Sequence, residues 1–237
     1  MNIVRTPAVA ALMATAWALL AAGALPGSEL AFVHGPLCGA DGGAPGALPG
    51  FAAAWLVMTA AMMLPDVSSA LAQRREAAGG PALWAYVTGF LAVWELFGCG
   101  LFVAADLLRR VTETSGVPGW GDAALGSGAL GLVAVGQFAS AAFVRRLRAP
   151  GCVTSAAAAP LGWSGGLALG FESLRCCWAI MLFMLMARLH DPLSVAAFTL
   201  LVAYQRRGRW GCSAARAVGF AALADALLAL TMRTLPL

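Results

Sequence analysis

The chain contains no lysine at all; its 15 basic residues are all arginine. Charge of either sign is scarce, at 11% of 237 residues, against roughly 25% in soluble domains. Hydrophobic residues make up 61%, and the mean hydropathy is +0.81. An ordinary soluble domain is thereby excluded, and an integral membrane protein is expected. The six cysteines include no C-x-x-C pair, and most fall in or beside apolar segments, which argues against a secreted disulfide framework. The arginines sit in short loops without interleaved aromatics, so the net charge of +4 points to membrane topology and not to nucleic acid. No phosphate-binding loop, zincin motif or hydrolase elbow is present, and no catalytic residue is assigned.

Seven apolar segments, near 6–25, 50–71, 82–105, 123–144, 162–188, 190–205 and 211–232, are each long enough, or nearly so, to cross ~30 Å of hydrocarbon. The expected fold is all-α: a polytopic bundle of about seven spans in one domain covering residues 1–237. The first segment resembles a secretory signal, with Arg5 ahead of an apolar core, but that core is long and a retained helix is expected. Arg5, Arg74 and Arg75, the group Arg145, Arg146 and Arg148, and the group Arg206, Arg207 and Arg209 fall on alternate loops. Positive-inside bias then puts the N-terminus in the cytoplasm and the C-terminus outside. Trp55 and Trp120 are expected at the outer boundary, with Trp84, Trp163 and Trp210 at the inner one. The Gly/Pro-rich stretch 26–49, with His34, Cys38 and Asp41, is expected to be an extracytoplasmic connector.

Chemistry concentrates in the fifth segment, where Glu172, Arg175, Cys176 and Cys177 precede Met181, Met184 and Met186. An ionisable group in hydrocarbon costs roughly 2.5–3.5 kcal/mol on insertion scales. Arg175 is therefore expected to pair with Glu172, three residues away, or to reach Glu95 in the third segment. Asp225 is a further intramembrane carboxylate. In the second segment Met58, Met62 and Asp66 share one helix face, Met63 adjoins them, and Pro65 removes a backbone donor from the turn at Ala61. Met62 and Cys176 each fall about half way along their segments, so equal depth and neighbouring helices are expected. Thiolate and thioether sulfur are soft ligands that favour Cu(I); Met and Cys also fill apolar cores without binding anything. Gly162, Gly166 and Gly170 form a small-residue ridge suited to close helix packing.

Ala61-Met62-Met63-Leu64-Pro65 together with Cys176-Cys177-Trp178 and Met181 resembles the signature of a bacterial family, the domain-of-unknown-function 2182 family of predicted metal-binding integral membrane proteins. The likeness runs over about residues 50–230, with Tyr86, Trp94 and Gln137 at weaker positions. Ser173, Arg175 and Leu169 stand where that pattern carries Cys, Gly and His. The resemblance implies a multi-pass integral membrane protein with a metal role for Met62, Met63, Cys176 and Cys177; the soft donors make copper the expected ion, with Glu95 supplying charge, and the bacterial inner membrane is the expected location. Its partners would be the bilayer and other membrane subunits. An accessory subunit with a degenerate site is the rival reading. A proton-coupled transporter using Glu95 and Asp225 is a third, although no internal repeat or paired broken helices are visible.

Overall fold

The computed structural model describes residues 7–22, 47–73, 80–114, 120–147, 160–187, 192–207 and 211–234. These form seven α-helices and, among the described residues, no strand. We label them α1 (Pro7–Ala21), α2 (Ala47–Gln73), α3 (Gly80–Thr114), α4 (Trp120–Leu147), α5 (Trp163–Ala187), α6 (Pro192–Arg207) and α7 (Gly211–Thr234). Each expected segment is a helix with ends shifted by a few residues, except α3, which runs nine residues beyond its expected end at 105. Three helices are long and apolar enough to cross a membrane, through Leu48–Pro65, Gly80–Leu107 and Trp163–Leu185; α1 is a shorter apolar helix, and α4 and α6 contain shorter apolar stretches. The stretch 26–46, with His34, Cys38 and Asp41, lies outside the described residues.

Two cores organise the bundle. The larger is built by α1, α2, α3, α5 and α6, joined by Val144 of α4, around Trp55, Met58, Phe90, Trp94 and Ile180, all essentially without exposure. The smaller joins α4, α5 and α7 through Val133, Ala134, Leu182 and Ala222. Within the larger core α2 packs on α3, α3 on α5, α5 on α6 and α6 back on α2, so that α2 and α5 stand diagonally. The helices α4 and α7 form the most closely packed pair; α4 lies against α5, and α7 against α6.

Glycine decides how closely two of these pairs approach. On α5, Gly166 abuts the backbone of Tyr86 and Phe90, and Gly170 abuts Val93, in the parallel α3–α5 pair. The expected ridge therefore packs as anticipated at these two positions. Gly162 instead precedes the helix with a φ of +149°, a conformation that disfavours a side chain. Between α2 and α3, Gly98 makes room for the indole of Trp55, whose Nε1 donates to the Trp94 carbonyl at 2.9 Å. Trp55 is fully buried and does not mark a membrane boundary as expected, because its ring closes a helix–helix contact. Trp84 and Trp163, at the starts of parallel helices, are 46% and 50% exposed, as an interfacial pair would be.

Pro65 lies inside α2 without ending it. Having no N–H, it leaves the Ala61 carbonyl without its intrahelical partner. The indole Nε1 of Trp17 donates to that carbonyl at 3.2 Å, so α1 completes the hydrogen bonding of α2. A Trp17→Phe variant is expected to lose about 1–3 kcal/mol, the cost of a buried group left unsatisfied. Its thermal midpoint in detergent should fall by roughly 2–4 °C per kcal/mol. In a Pro65→Ala background, where residue 65 regains its own N–H, the same substitution should cost clearly less. Equal cost in both backgrounds would show that the indole only fills space.

Candidate metal centre

Seven sulfur-bearing side chains lie in the larger core: Met58, Met62 and Met63 on α2, and Cys176, Cys177, Met181 and Met184 on α5, none more than 2% exposed. Apolar surroundings explain their burial, because thioether and thiol desolvate cheaply compared with nitrogen or oxygen ligands. Among the described residues no three His, Cys, Asp or Glu side chains gather as a metal-binding group. Any ion held in this core would accordingly be held by sulfur, which suits a soft monovalent cation and not a hard divalent one.

The two cysteines differ in aspect. Cys177 continues the row Gly166, Gly170, Ser173 that faces α3, whereas Cys176 is turned by ~100° from it, away from the exposed Phe171. Phe183, two turns on from Cys176 in the same stripe, meets Phe198 of α6 with ring centroids 6.0 Å apart, which puts Cys176 on the α6 side of the core. The aromatic side of that core includes Phe90 and Trp94, both 0% exposed. The indole Nε1 of Trp94 has no hydrogen-bond partner among the described residues.

Helix register sets the levels. Phe51 meets Phe102 with ring centroids 5.1 Å apart, and Trp55 sits on Gly98, so α2 and α3 run antiparallel with Met62 opposite the turn at Leu91. Since Gly170 on α5 adjoins Val93 on α3, Cys176 comes level with the turn at Cys99. Met62 and Cys176 are thereby separated along the bundle axis by roughly 12 Å at ~1.5 Å per residue. The equal depth expected from the segment centres is not realised. Segment 50–71 has its centre near residue 60, but the apolar window of α2 is Leu48–Pro65, so Met58 and not Met62 lies near its middle. Of the α2 methionines, Met58 is closest in level to the cysteine pair, and Met62 and Met63 lie a turn further toward the Trp84 end. Nor are α2 and α5 among the closely packed helix pairs; α3 and α6 each touch both. Met62 and Cys176 share one continuous core without belonging to adjacent helices.

The charged candidates occupy other surroundings. Glu172 is 6% exposed and Ser173 fully buried on α5. Arg175, expected at a buried ion pair, is exposed, with its guanidinium 5.9 Å over the Phe143 ring. Its backbone carbonyl accepts a hydrogen bond from Ser140 Oγ at 3.3 Å, which ties α4 to α5 at this level. The alternative partner Glu95 does not reach it: one oxygen of the half-buried Glu95 accepts from Cys99 Sγ at 3.8 Å, and the other is buried without a partner among the described residues. Asp225 is exposed on α7, away from the sulfur core. Cys99 is not singled out by sequence reasoning; its four-residue spacing from Glu95 is the available signal. A second polar contact crosses the bundle, where Gln205 Nε2 of α6 donates to Gln137 Oε1 of α4 at 3.4 Å, both side chains buried.

No curated protein and no solved structure matches the chain. The profile of the family PpoB2, described as a copper chaperone, matches residues 52–229, about three quarters of the 237 residues and nearly the expected 50–230. This is a copper-related family and not the domain-of-unknown-function 2182 family that the two motifs resemble, though both descriptions concern metals. The matched stretch takes in the whole sulfur-bearing core of α2 and α5, and the chain belongs to the PpoB2 family of copper chaperones.

Proposed function

We propose that this protein is a multi-pass membrane copper chaperone that carries Cu(I) on buried sulfur. All seven helices would cross the bacterial inner membrane, with the N-terminus inside and the C-terminus outside. The observation that carries the reading is the enclosure of seven thiol and thioether side chains in one core, with no competing His or carboxylate cluster among the described residues. Copper is the cargo, and this chain's residues bind and pass it without turnover. Cys176 and Cys177 are the stronger ligands, because a thiolate brings charge and a thioether does not. Met62 and Met63 form a second level roughly 12 Å away, by the ~1.5 Å rise per residue, and Met58 lies between the two. Donors stacked at separate levels suit passage of an ion better than its permanent storage.

One observation favours a second role as a subunit of a larger membrane assembly. Arg175 is exposed at the middle of α5, where an uncovered guanidinium costs roughly 2.5–3.5 kcal/mol in hydrocarbon. A neighbouring subunit would relieve that cost.

Purified protein titrated with Cu(I) under reducing, anaerobic conditions is expected to retain on the order of one ion per chain in the presence of a competing chelator, as thiolate–thioether donor sets favour, and to leave Zn(II) behind. Retention of neither metal would end the proposal. A reporter fused after Leu237 should read extracytoplasmic and one inserted at Arg207 cytoplasmic. Both on the same side would remove one span from the count.

A further inference from the structure

We propose that the groove between α4 and α7 is a binding site for an anionic phospholipid of the inner leaflet. A groove of about 210 Å³ is lined by Phe138, Ala141, Ala142 and Arg145 of α4 and by Arg216 of α7. Two guanidinium groups therefore border an apolar floor, and no carboxylate lines it. The convergence follows from helix geometry. The two helices are antiparallel: Arg216 lines the groove with Arg145, Gly219 adjoins Ala134, Gln137 and Phe138, and Ala222 packs with Val133. Side chains lean toward the N-terminus of their own helix, so Arg145, near the end of α4, and Arg216, near the start of α7, lean toward each other.

What lies beyond the arginines distinguishes a lipid from a bare anion. Arg216, Phe220, Leu223 and Leu227 are spaced by four, three and four residues and form one stripe along α7. Phe220 is 62% exposed, Leu223 38% and Leu227 54%. Phe138 turns its ring edge-on to Phe220 at 5.0 Å, which joins the groove to the stripe. The stripe spans about 16 Å at ~1.5 Å per residue, room for most of an acyl chain below a headgroup held at the arginines. Arg145 opens the basic cluster completed in the sequence by Arg146 and Arg148, which places the groove at the cytoplasmic leaflet, where anionic lipids concentrate. This site rests on the membrane reading above but not on copper binding.

The test uses the full chain in nanodiscs or detergent with dioleoylphosphatidylglycerol, dioleoylphosphatidylcholine and inorganic phosphate as separate probes. Lipid retention by native mass spectrometry and the thermal midpoint are the readouts. Phosphatidylglycerol is expected to be retained roughly tenfold or more over phosphatidylcholine, the scale of two arginines near an anionic surface, and to raise the midpoint. An Arg145→Gln/Arg216→Gln variant should lose both effects, while an Arg145→Lys/Arg216→Lys variant keeps part of the preference. Arg110→Gln, which removes the partner of Asp106 on α3, should change neither. Unchanged circular dichroism in each variant separates loss of lipid from loss of fold. Equal retention of the two lipids, an unchanged preference in the double Gln variant, or full reproduction of the midpoint rise by inorganic phosphate overturns the lipid site. A chain absent from the membrane fraction would instead overturn the multi-pass reading, so the two failures are distinguishable.

Discussion

A Cys176→Ser/Cys177→Ser variant is expected to retain only background Cu(I) while still accumulating in membranes. Serine keeps the volume and loses the soft donor, so packing changes little and the ligand chemistry changes completely. The affinity should fall by more than the roughly 10–100-fold seen when outer-shell partners of a metal are removed. Because the two thiols point ~100° apart on one helix, they will not contribute equally. Cys176, on the α6 side of the core, should account for most of the loss, and Cys177 for less. Met58→Leu is expected to weaken binding more than Met63→Leu, since Met58 is the methionine nearest the cysteine level. Cys99→Ser, whose thiol is committed to Glu95, should leave copper binding unchanged. Full copper retention by the Cys176→Ser/Cys177→Ser chain would return all seven sulfurs to the role of core packing.

The largest loss of stability is expected from Gly98→Leu. The Trp55 indole occupies the space where a side chain at residue 98 would begin, and it is fixed there by its bond to the Trp94 carbonyl. Overpacking of a tight core typically costs about 1–3 kcal/mol, and displacing the indole adds about 1–3 kcal/mol for the donor left unpaired. The sum is a sizeable part of a total stability of roughly 5–15 kcal/mol, so the variant should accumulate poorly. Trp55→Ala is destabilising by itself, yet it empties the space that the introduced leucine side chain would need. The double substitution should therefore be less harmful than the sum of its parts, which is the signature of direct contact. Simple additivity would show that the two positions do not meet.

Much of the fold can be read from hydropathy, because a bilayer-spanning helix announces itself by composition over about twenty residues. The helix-packing role of Gly166 and Gly170 is equally legible, since a four-residue repeat of small side chains has few other uses. Depth is less so. It depends on how α2 slides against α3, and that register is fixed by two local events, Phe51 on Phe102 and Trp55 on Gly98. Neither has a sequence signature of its own. Arg175 misleads for a similar reason: its presence in an apolar segment suggests a buried partner, but residue 175 lies on the outer side of α5. The sulfur set is visible as residue types; that α2 and α5 stand diagonally with α3 and α6 between them is not. Gln137 stands out as a mid-segment polar residue, but Gln205, 68 positions away, offers no cue that the two would meet.

The bond from Trp17 to the carbonyl freed by Pro65 bears on the order in which the bundle is made. If the helices insert as proposed above, α1 leaves the ribosome first and its indole would already be in the bilayer when the proline-bearing helix arrives. The unpaired carbonyl of α2 then need never face lipid, provided that α1 stays beside it. A helix that begins like an export signal would here serve as a template for its successor, and cutting it away after insertion would uncover a polar backbone group one residue from Met62. On this account early proteolysis between the first two helices, or delayed emergence of α2, should harm assembly more than the same disturbance between α6 and α7.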